Sequence, residues 1–209
     1  MRALFFDLDG TLVDSRRDIA EALNRALAGA GMAPLALSEV LPLVGDGARV
    51  LVERALAARG RGPDDAVLAA FQEAYLAAPC VHTTLLPGAK EALALGLPCA
   101  LVTNKPRAVT ELVLERLGVR DAFREVWAGG DGPLKPAPDG VLSVAARLGV
   151  SVHDAWMIGD GPQDVLAGKA AGAFTVGVRG GIAGDARLLA AAPDLVVASL
   201  LELAAHARR

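Results

Sequence analysis

The most informative stretch of this chain lies near its amino terminus and reads Ala3-Leu4-Phe5-Phe6-Asp7-Leu8-Asp9-Gly10-Thr11-Leu12-Val13-Asp14-Ser15. Its apolar start predicts a short buried strand, and residues i and i+2 of a strand point to the same side. Asp7 and Asp9 are therefore expected to project together from the end of that strand. Two neighbouring carboxylates repel each other unless a cation or a proton intervenes. The pair predicts a divalent metal site, an acid/base function or both, although Asp-Leu-Asp-Gly alone could also be a polar turn.

The composition is that of a globular protein with a hydrophobic core. The 209 residues suffice for one large domain, or for a core with a smaller inserted domain. Hydrophobic residues make up 53% of the chain, which argues against disorder. The formal net charge of -3 argues against a general nucleic-acid binder, whose affinity depends on neutralising phosphates. We therefore expect no nucleic-acid partner.

The amino terminus, the apolar runs and the cysteines bear on location. Met1-Arg2 leads directly into the first predicted strand, without the pattern of a signal peptide. Apolar runs are short and interrupted, so no membrane span is expected. Cys80 and Cys99 share no metal-ligand spacing and are typical of buried or half-buried thiols in a reducing compartment. Together these features predict a soluble, cytoplasmic protein.

Strand-like and helix-like segments alternate along most of the chain. Continuous apolar runs, which suit parallel strands covered on both faces, occur at Ala3–Phe6, Cys99–Val102, Val126–Ala128, Ala155–Ile158, Phe174–Val178 and Leu195–Val197. Helical segments that begin with Pro and are followed by Gly occur at Pro106–Leu117, Pro138–Leu148 and Pro162–Ala171. The alternation predicts an α/β fold with a doubly wound, Rossmann-like parallel sheet.

The region between the first two predicted core strands has no strand pattern. Its helical segments are Arg16–Ala30, Ser38–Leu43, Ala48–Arg59 and Asp64–Ala78. This block leaves the sheet just after Asp7 and Asp9, so we expect it to stand over those residues. We predict an inserted α-helical cap domain at residues 15–83, and an α/β catalytic core at residues 1–14 and 84–209.

Polar side chains follow several predicted strands, at the edge where open α/β sheets bind their ligands. They are Asp7 and Asp9, Thr103 and Asn104, and Asp160 and Asp164, with Lys135 just before a helix that leads into a later strand. Each group alone has a plainer interpretation, as a helix cap, a solvated lysine, or acids of a turn and a helix start. Their joint placement favours a Mg²⁺ site beside a bound phosphoryl group.

The order of these residues matches a known set of motifs. Asp7-Leu8-Asp9-Gly10-Thr11 matches a DxDGT motif, and Thr103, Lys135 and the pair Asp160 and Asp164 match the three motifs that follow it. The whole chain thereby resembles the haloacid dehalogenase-like (HAD-like) hydrolases. Within that superfamily it most resembles the bacterial phosphoglycolate phosphatases, because of the runs Asp7–Ser15, Val44–Leu56 and Thr103–Pro106. Gly161 departs from the Ser or Thr that is common in the fourth motif.

The resemblance implies covalent catalysis by the first two aspartates. Asp7 would attack phosphorus in line and form an aspartyl-phosphate. Asp9 would protonate the leaving oxygen and later take a proton from the water that hydrolyses the intermediate. The implied Mg²⁺ ligands are Asp7, the backbone carbonyl of Asp9, Asp160 and Asp164, of which Asp164 could instead orient Lys135. The implied phosphate-binding residues are Gly10, Thr103, Asn104 and Lys135.

The expected substrate is a small phosphate monoester, in particular 2-phosphoglycolate. In the predicted cap, the loop Gly45-Asp46-Gly47 precedes a helix and offers backbone N–H groups to an anionic substrate group. Arg49, one turn into that helix, could add a charged fork, or could belong to a solvated helix face.

Other functions stay open at this point. Phosphatases of pyrophosphate, nucleotides or sugar phosphates share most of these motifs, as do phosphomutases. A phosphoreceiver signalling domain also gathers acids, a Thr and a Lys at strand ends, but the inserted helices and the late acid pair argue against it. A haloacid dehalogenase would need neither the acid at Asp9 nor Mg²⁺. Monomer and homodimer are both compatible with the sequence.

Overall fold

A sheet of six parallel strands forms the centre of the molecule. The computed structural model describes residues 3–207. Its strands are β1 (Ala3–Phe6), β2 (Val13–Asp14), β3 (Thr84–Leu85), β4 (Cys99–Pro106), β5 (Glu125–Gly129), β6 (Ala155–Gly159), β7 (Phe174–Val178) and β8 (Leu195–Val197). The large sheet has the order β5-β4-β1-β6-β7-β8, and its strands pair in parallel. β1 is therefore central, with β4 and β6 as its neighbours.

Helices follow the strands in the manner of a doubly wound fold. They are α1 (Arg16–Gly29), α2 (Leu37–Val40), α3 (Ala48–Ala57), α4 (Asp65–Ala77), α5 (Ala89–Leu93), α6 (Arg107–Arg116), α7 (Asp139–Leu148), α8 (Pro162–Ala171), α9 (Asp185–Ala190) and α10 (Leu200–Ala207). Short 3-10 turns lie at Leu41–Leu43, Arg120–Ala122 and Val152–Asp154. None of the helices in this described part of the chain has the length and apolar character that a membrane span requires.

Both faces of the sheet are covered, which explains why β1 is apolar at every position. Ala3 and Phe5 pack with residues of α7 and α8 on one face. Leu4 and Phe6 point to the opposite face and pack with residues of α6 and α10. All four side chains are fully buried. Each aromatic ring of β1 stabilises the fold by about 2–3 kcal/mol relative to an exposed position.

Helices α1 to α4 are inserted between β1 and the next strand of the large sheet. The chain leaves the large sheet for these helices after β2 and returns to it through β3. These two short strands form an antiparallel pair, in which Val13 of β2 lies opposite Leu85 of β3. The carboxylate of Asp18 in α1 accepts hydrogen bonds from the backbone N–H groups of residues 81–83 at the return crossing. The predicted α/β fold class, with its doubly wound parallel sheet, is confirmed.

The structure differs from the predicted elements in a few places. β4 continues to Pro106, so Thr103 and Asn104 belong to the strand rather than to a loop after it. The expected helix Ser38–Leu43 divides into α2 and a 3-10 turn that contains Pro42, which lacks the N–H that an α-helix needs. Helices α5, α9 and α10 were not predicted, because five to eight residues give too little periodicity.

Candidate active site

Three aspartates meet at the carboxyl edge of the sheet. Asp7 directly follows β1, Asp160 follows β6, and Asp164 lies in the first turn of α8. The parallel pairing of β1 with β6 brings the strand ends together, and the Asp7 N–H donates to the Ile158 carbonyl at 2.9 Å. One carboxylate oxygen from each aspartate lies within 4.8 Å of the others, and all three residues are buried.

The three carboxylates destabilise one another in the absence of a cation. Burial raises the pKa of Asp7 to about 6, with a further contribution from the charge of Asp164 and opposition from Lys135. Burial and then the charge of Asp7 raise the pKa of Asp160 to about 6. Burial also raises the pKa of Asp164. Three buried oxygen donors of this kind suit a hard divalent cation, which would favour the ionised form of each.

The Asp160 carboxylate is oriented by hydrogen bonds from two directions. The Thr11 hydroxyl donates to its Oδ1 at 3.1 Å, and the Ala183 N–H donates to its Oδ2 at 3.0 Å. Gly10 has a φ of +88°, and a Cβ there would lie 2.5 Å from Asp160 Oδ2. Glycine is therefore required at position 10 for both backbone conformation and close approach of the carboxylate.

Lys135 is a buried cation that is hydrogen bonded to two members of the acidic cluster. Its Nζ donates to Asp7 Oδ1 at 2.7 Å, to Asp164 Oδ1 at 2.6 Å and to the Val102 carbonyl at 2.6 Å. Burial disfavours its charged form, but the charges of Asp164 and Asp7 outweigh that effect and raise the pKa of Lys135. The lysine is held ionised between two acids that come from different elements.

Asn104 connects the core to the inserted helices. Its Nδ2 donates to the Gly45 carbonyl and to the Lys135 carbonyl, both at 2.9 Å, and its Oδ1 accepts the Lys135 N–H at 2.8 Å. Thr103, also buried, accepts the Lys105 N–H at 3.3 Å through its Oγ1. α6 begins after Pro106 without a side-chain cap, so neither Thr103 nor Asn104 serves as its helix cap.

The Asp9 carboxylate is held from both the core and the inserted block. The Ser15 hydroxyl donates to Asp9 Oδ1 at 2.6 Å, and Lys105 Nζ donates to the same oxygen at 2.8 Å. Lys105 Nζ also donates to the Tyr75 hydroxyl of α4 in a very short hydrogen bond. The side chain of Lys105 is only 1% exposed, so this ion pair is screened little by solvent.

A cleft of about 600 Å³ lies between the sheet edge and the inserted helices. The core contributes acidic and polar groups to its lining, which are Asp7, Asp9, Thr103, Asn104, Lys105, Asp160 and Gln163. The inserted block contributes a mainly apolar wall, which is Ile19, Val44, Gly45, Gly47, Ala48, Leu51, Phe71 and Tyr75. With a divalent cation held by its carboxylates, the sheet side can bind an anionic group, and the helices can contact a less polar group.

The sequence model of a hydrolase family described as haloacid dehalogenase-like matches residues 1–172. The chain belongs to this family. Several phosphoglycolate phosphatases are relatives. Phosphoglycolate phosphatase 1 of Pseudomonas aeruginosa is 37% identical, over 97% of this chain and 78% of its own length. The phosphoglycolate phosphatase of Neisseria meningitidis serogroup A is also 37% identical, over 97% of this chain and 92% of its own length.

A solved structure of similar fold comes from Haemophilus somnus 129pt and is described as a predicted phosphoglycolate phosphatase. It superposes with a TM-score of 0.92 at 27% identity, covering 99% of this chain and 98% of that one. The family identification made from the motifs is thus confirmed, as is the expectation that the chain is a hydrolase.

The structure brings together the residues that match the four hydrolase motifs. Asp7, Lys135, Asp160 and Asp164 form one connected cluster, and Asp9 and Thr103 line the same cleft. Of the two alternatives for Asp164, its hydrogen bond to Lys135 is present, and it also lies within the acidic cluster. Asn104 lines the cleft, but its amide is engaged with backbone groups of the Gly45 and Lys135 segments.

The expected substrate contacts from the cap are only partly in place. Gly45 and Gly47 line the cleft, with φ values of +124° and +92°. Asp46 instead pairs with Arg54 at 2.7 Å. Arg49 pairs with Asp65 at 2.8 Å, is 60% exposed and does not line the cleft. The guanidinium of Arg49, which was expected to contact the substrate, instead pairs with the neighbouring acids Asp65 and Glu53.

Three residues that contact Asp9 or line the cleft were not predicted as site residues from the sequence. Lys105 directly follows the second-motif residues Thr103 and Asn104 and lines the same cleft, and this adjacency is the signal that the sequence offers. Ser15 is six residues from Asp9 and gives no pattern of its own. Tyr75 is distant in sequence, and its helical spacing with Phe71 predicts only a buried apolar face.

Proposed function

We propose that this chain is a Mg²⁺-dependent phosphatase that converts 2-phosphoglycolate to glycolate and phosphate through an aspartyl-phosphate. Membership of the hydrolase family and its phosphoglycolate phosphatase relatives make it a phosphoric monoester hydrolase. The observation that carries the finer proposal is the cluster of Asp7, Asp160 and Asp164, with Lys135 bonded to two of its members. Such an arrangement suits a dianionic phosphoryl group that is attacked by a carboxylate.

The metal site in this proposal consists of the three clustered carboxylates and the backbone carbonyl of Asp9. The donor set of buried oxygens fits Mg²⁺, which would supply charge neutralisation between the nucleophile and the phosphoryl oxygens. Lys135 contributes a second fixed positive charge beside Asp7 and orients its Oδ1. Asp160 is kept in place by Thr11 and the Ala183 N–H, so the site is organised before ligands bind.

In the first chemical step, an Asp7 oxygen forms a bond to phosphorus as the bond from phosphorus to the leaving oxygen breaks. Asp9 donates its proton to that oxygen, and glycolate leaves as the alcohol. In the second step, Asp9 takes a proton from water as the water oxygen attacks phosphorus. The acyl phosphate bond breaks, phosphate leaves, and the Asp7 carboxylate and the protonated Asp9 are restored.

We further propose that residues 15–83 act as a cap over a core of residues 1–14 and 84–209. The antiparallel β2 and β3 pair joins both crossings between the two parts, and the cleft lies between them. A closed cap would exclude water from the reacting phosphoryl group, and an open one would release the product. Thr103 and Gly10 lie on the core side, near the phosphoryl group.

The test is an assay of phosphate release across a panel of esters by chelated and Mg²⁺-reconstituted enzyme. The panel holds 2-phosphoglycolate, pyrophosphate, nucleoside monophosphates and hexose phosphates. We expect 2-phosphoglycolate to have the highest kcat/KM, no turnover after chelation, and recovery with Mg²⁺. Activity in protein shown by elemental analysis to be metal-free would contradict the metal site. If a hexose phosphate or pyrophosphate is the best substrate, the proposed substrate is wrong. If the phosphoryl group is returned to a sugar instead of to water, the protein is a mutase and the proposed hydrolysis is wrong.

The nucleophile is tested by Asp7→Asn, which preserves shape and removes the attacking charge. We expect turnover to fall by at least about a thousandfold, since loss of a covalent nucleophile leaves only binding and polarisation. Asp121→Asn is the control, because Asp121 is exposed on a 3-10 turn outside the cleft. Both variants should retain the wild-type circular dichroism spectrum. Turnover by Asp7→Asn at the rate of the control would exclude Asp7 as the nucleophile.

A further inference from the structure

We propose that Lys105 and Tyr75 form the binding site for the carboxylate of the substrate, and so select 2-phosphoglycolate over uncharged phosphate esters. This inference rests on the proposed function and adds to it the residues that recognise the leaving group. It also replaces Arg49 in that role, since Arg49 is paired with Asp65 outside the cleft.

The first observation is the distribution of positive charge around the cleft. Among the lining residues in the described part of the chain, Lys105 is the only lysine or arginine. Lys135 lies beneath Asp7 and is engaged by two carboxylates and a carbonyl. A substrate with a second anionic group therefore meets one cation within the cleft that is not already part of the phosphoryl site.

The second observation is the distance between Lys105 and the proposed acid/base. Lys105 Nζ lies 2.8 Å from Asp9 Oδ1. Asp9 must approach the ester oxygen of the substrate to protonate it. In 2-phosphoglycolate a single methylene separates that oxygen from the carboxylate carbon. A cation in contact with Asp9 is thus within reach of the carboxylate while Asp9 contacts the ester oxygen.

The third observation concerns hydrogen-bonding capacity. An ammonium group has three N–H donors, and Lys105 Nζ donates to Asp9 Oδ1 at 2.8 Å, to Asp9 Oδ2 at 3.2 Å and to the Tyr75 hydroxyl. The longer contact, to the second oxygen of the same carboxylate, can be exchanged for a ligand carboxylate while the other two bonds are kept. Because Lys105 donates to the Tyr75 oxygen, the hydroxyl proton of Tyr75 can itself be donated into the cleft that both residues line. Together they offer a carboxylate two donors, one of them charged.

The pair is also held in place before any ligand binds. Tyr75 is 3% exposed, and its ring packs against Phe71 with centroids 5.7 Å apart. Lys105 Nζ lies 4.4 Å from the centroid of the same ring. Burial raises the pKa of Tyr75 well above its ordinary value, so its hydroxyl keeps its proton. A fixed site loses little entropy when the carboxylate is bound.

The remaining wall of the cleft explains why a short acid is preferred to a polyol. Ile19, Val44, Leu51 and Phe71 line the side contributed by the inserted helices and offer no side-chain hydrogen bonds. Sugar hydroxyl groups that are buried against these residues would lose their bonds to water without replacement. A methylene group carries no such penalty.

The experiment compares kcat/KM for 2-phosphoglycolate with that for ethyl phosphate, in which a methyl group replaces the carboxylate. In Lys105→Met, kcat/KM for 2-phosphoglycolate should fall about 10- to 100-fold more than kcat/KM for ethyl phosphate. This is the range expected when a charge-assisted hydrogen bond is lost in a closed site. Tyr75→Phe, which keeps the ring, should show a selective loss in the same direction but smaller.

Ser15→Ala is the matched control, because Ser15 also donates to Asp9 but does not line the cleft. It should reduce turnover of both substrates by the same factor. Equal losses on both substrates in Lys105→Met and Tyr75→Phe would show that the pair only positions Asp9, and would overturn this inference alone. If Lys105→Met fails to fold, the test uses Tyr75→Phe, and the ratio of its kcat/KM values for 2-phosphoglycolate and ethyl phosphate is compared with the wild-type ratio. Wild-type enzyme without preference for 2-phosphoglycolate would overturn the proposed substrate together with this inference.

Discussion

At the scale of single residues, the site assigns different environments to two aspartates that lie two positions apart. Asp7 is buried among like charges and bonded to Lys135, whereas Asp9 lies between Ser15 and Lys105. The separation arises because β1 ends at Phe6 and the chain bends at Leu8, so the extended geometry that would place the two carboxylates side by side does not continue to Asp9. The roles proposed for them, nucleophile and acid/base, need different surroundings.

The acid/base assignment predicts which step fails when Asp9 is replaced. Asp9→Asn cannot donate a proton to an alkoxide or accept one from water. With an aryl phosphate, whose leaving group needs no proton, the first step should be nearly preserved and the second should slow by at least about a hundredfold. Phosphorylated enzyme should then accumulate, which rapid quenching and mass spectrometry can detect. Normal turnover without any trapped phosphoenzyme would contradict the assignment.

At the scale of elements, α1 is tied to the return crossing of the inserted block by one carboxylate. Asp18 accepts hydrogen bonds from the N–H groups of Val81, His82 and Thr83 and from the Thr83 hydroxyl at 2.6 Å. Burial alone would raise the pKa of Asp18, but these bonds outweigh it and hold the pKa below its ordinary value. The ionised carboxylate is therefore part of the folded structure.

Replacement of Asp18 by Asn should destabilise the fold in a pH-dependent manner. An amide has a single acceptor oxygen, and its NH₂ group would face the backbone N–H groups that now donate to the second carboxylate oxygen. The free energy of unfolding at pH 7 should therefore fall by about 1.5–3 kcal/mol. The lowered pKa means that this stabilisation is present above about pH 4 and is lost as pH falls through the folded-state value. The difference in the free energy of unfolding between wild type and Asp18→Asn, measured by urea titration, should thus shrink progressively as pH falls below about 4. A difference that stays constant throughout the acid range would contradict the role of the charge.

At the scale of the whole molecule, we expect the acidic cluster to make stability depend on pH and on a bound divalent cation. The pKa values of Asp7 and Asp160, both raised to about 6, mean that the metal-free folded protein binds protons more tightly there than the unfolded chain does. The metal-free protein should therefore become more stable as pH falls from 7.5 through about 6, opposite in sign to the effect of Asp18. A cation competes with those protons.

Mg²⁺ should consequently stabilise the protein more at pH 7.5 than at pH 5.5. At a concentration one hundred times the dissociation constant, one bound ion adds about 2.7 kcal/mol to the free energy of unfolding. Thermal melts with and without Mg²⁺ at both pH values measure the effect, and Asp121→Asn should behave like wild type. Equal stabilisation at both pH values, or the full effect retained in Asp160→Asn, would place the ion outside this cluster.

Much of this architecture was determined by the sequence itself. The fully apolar run Ala3–Phe6 favours a strand covered on both faces, which the structure shows, and Asp7 and Asp9 follow it directly in the chain. The alternation of such runs with helices that begin at Pro and end before Gly predicts the doubly wound sheet. Acids, a hydroxyl and a lysine at successive strand ends then converge, because parallel strands place their carboxyl ends on one edge.

Tertiary structure alone decided which charges face the cleft and which pair elsewhere. Arg49 and Lys105 are both basic residues near predicted site segments, yet Arg49 pairs with Asp65 at the surface and Lys105 with Asp9 in the interior. Local patterns do not distinguish the two, because an ion pair depends on side chains that the chain separates by 16 and 96 residues. The same holds for Tyr75 of α4, whose hydroxyl lies at the site through its contact with Lys105 of β4. Local periodicity specifies a strand or a helix, whereas the partner of a buried charge is specified by packing over the whole molecule.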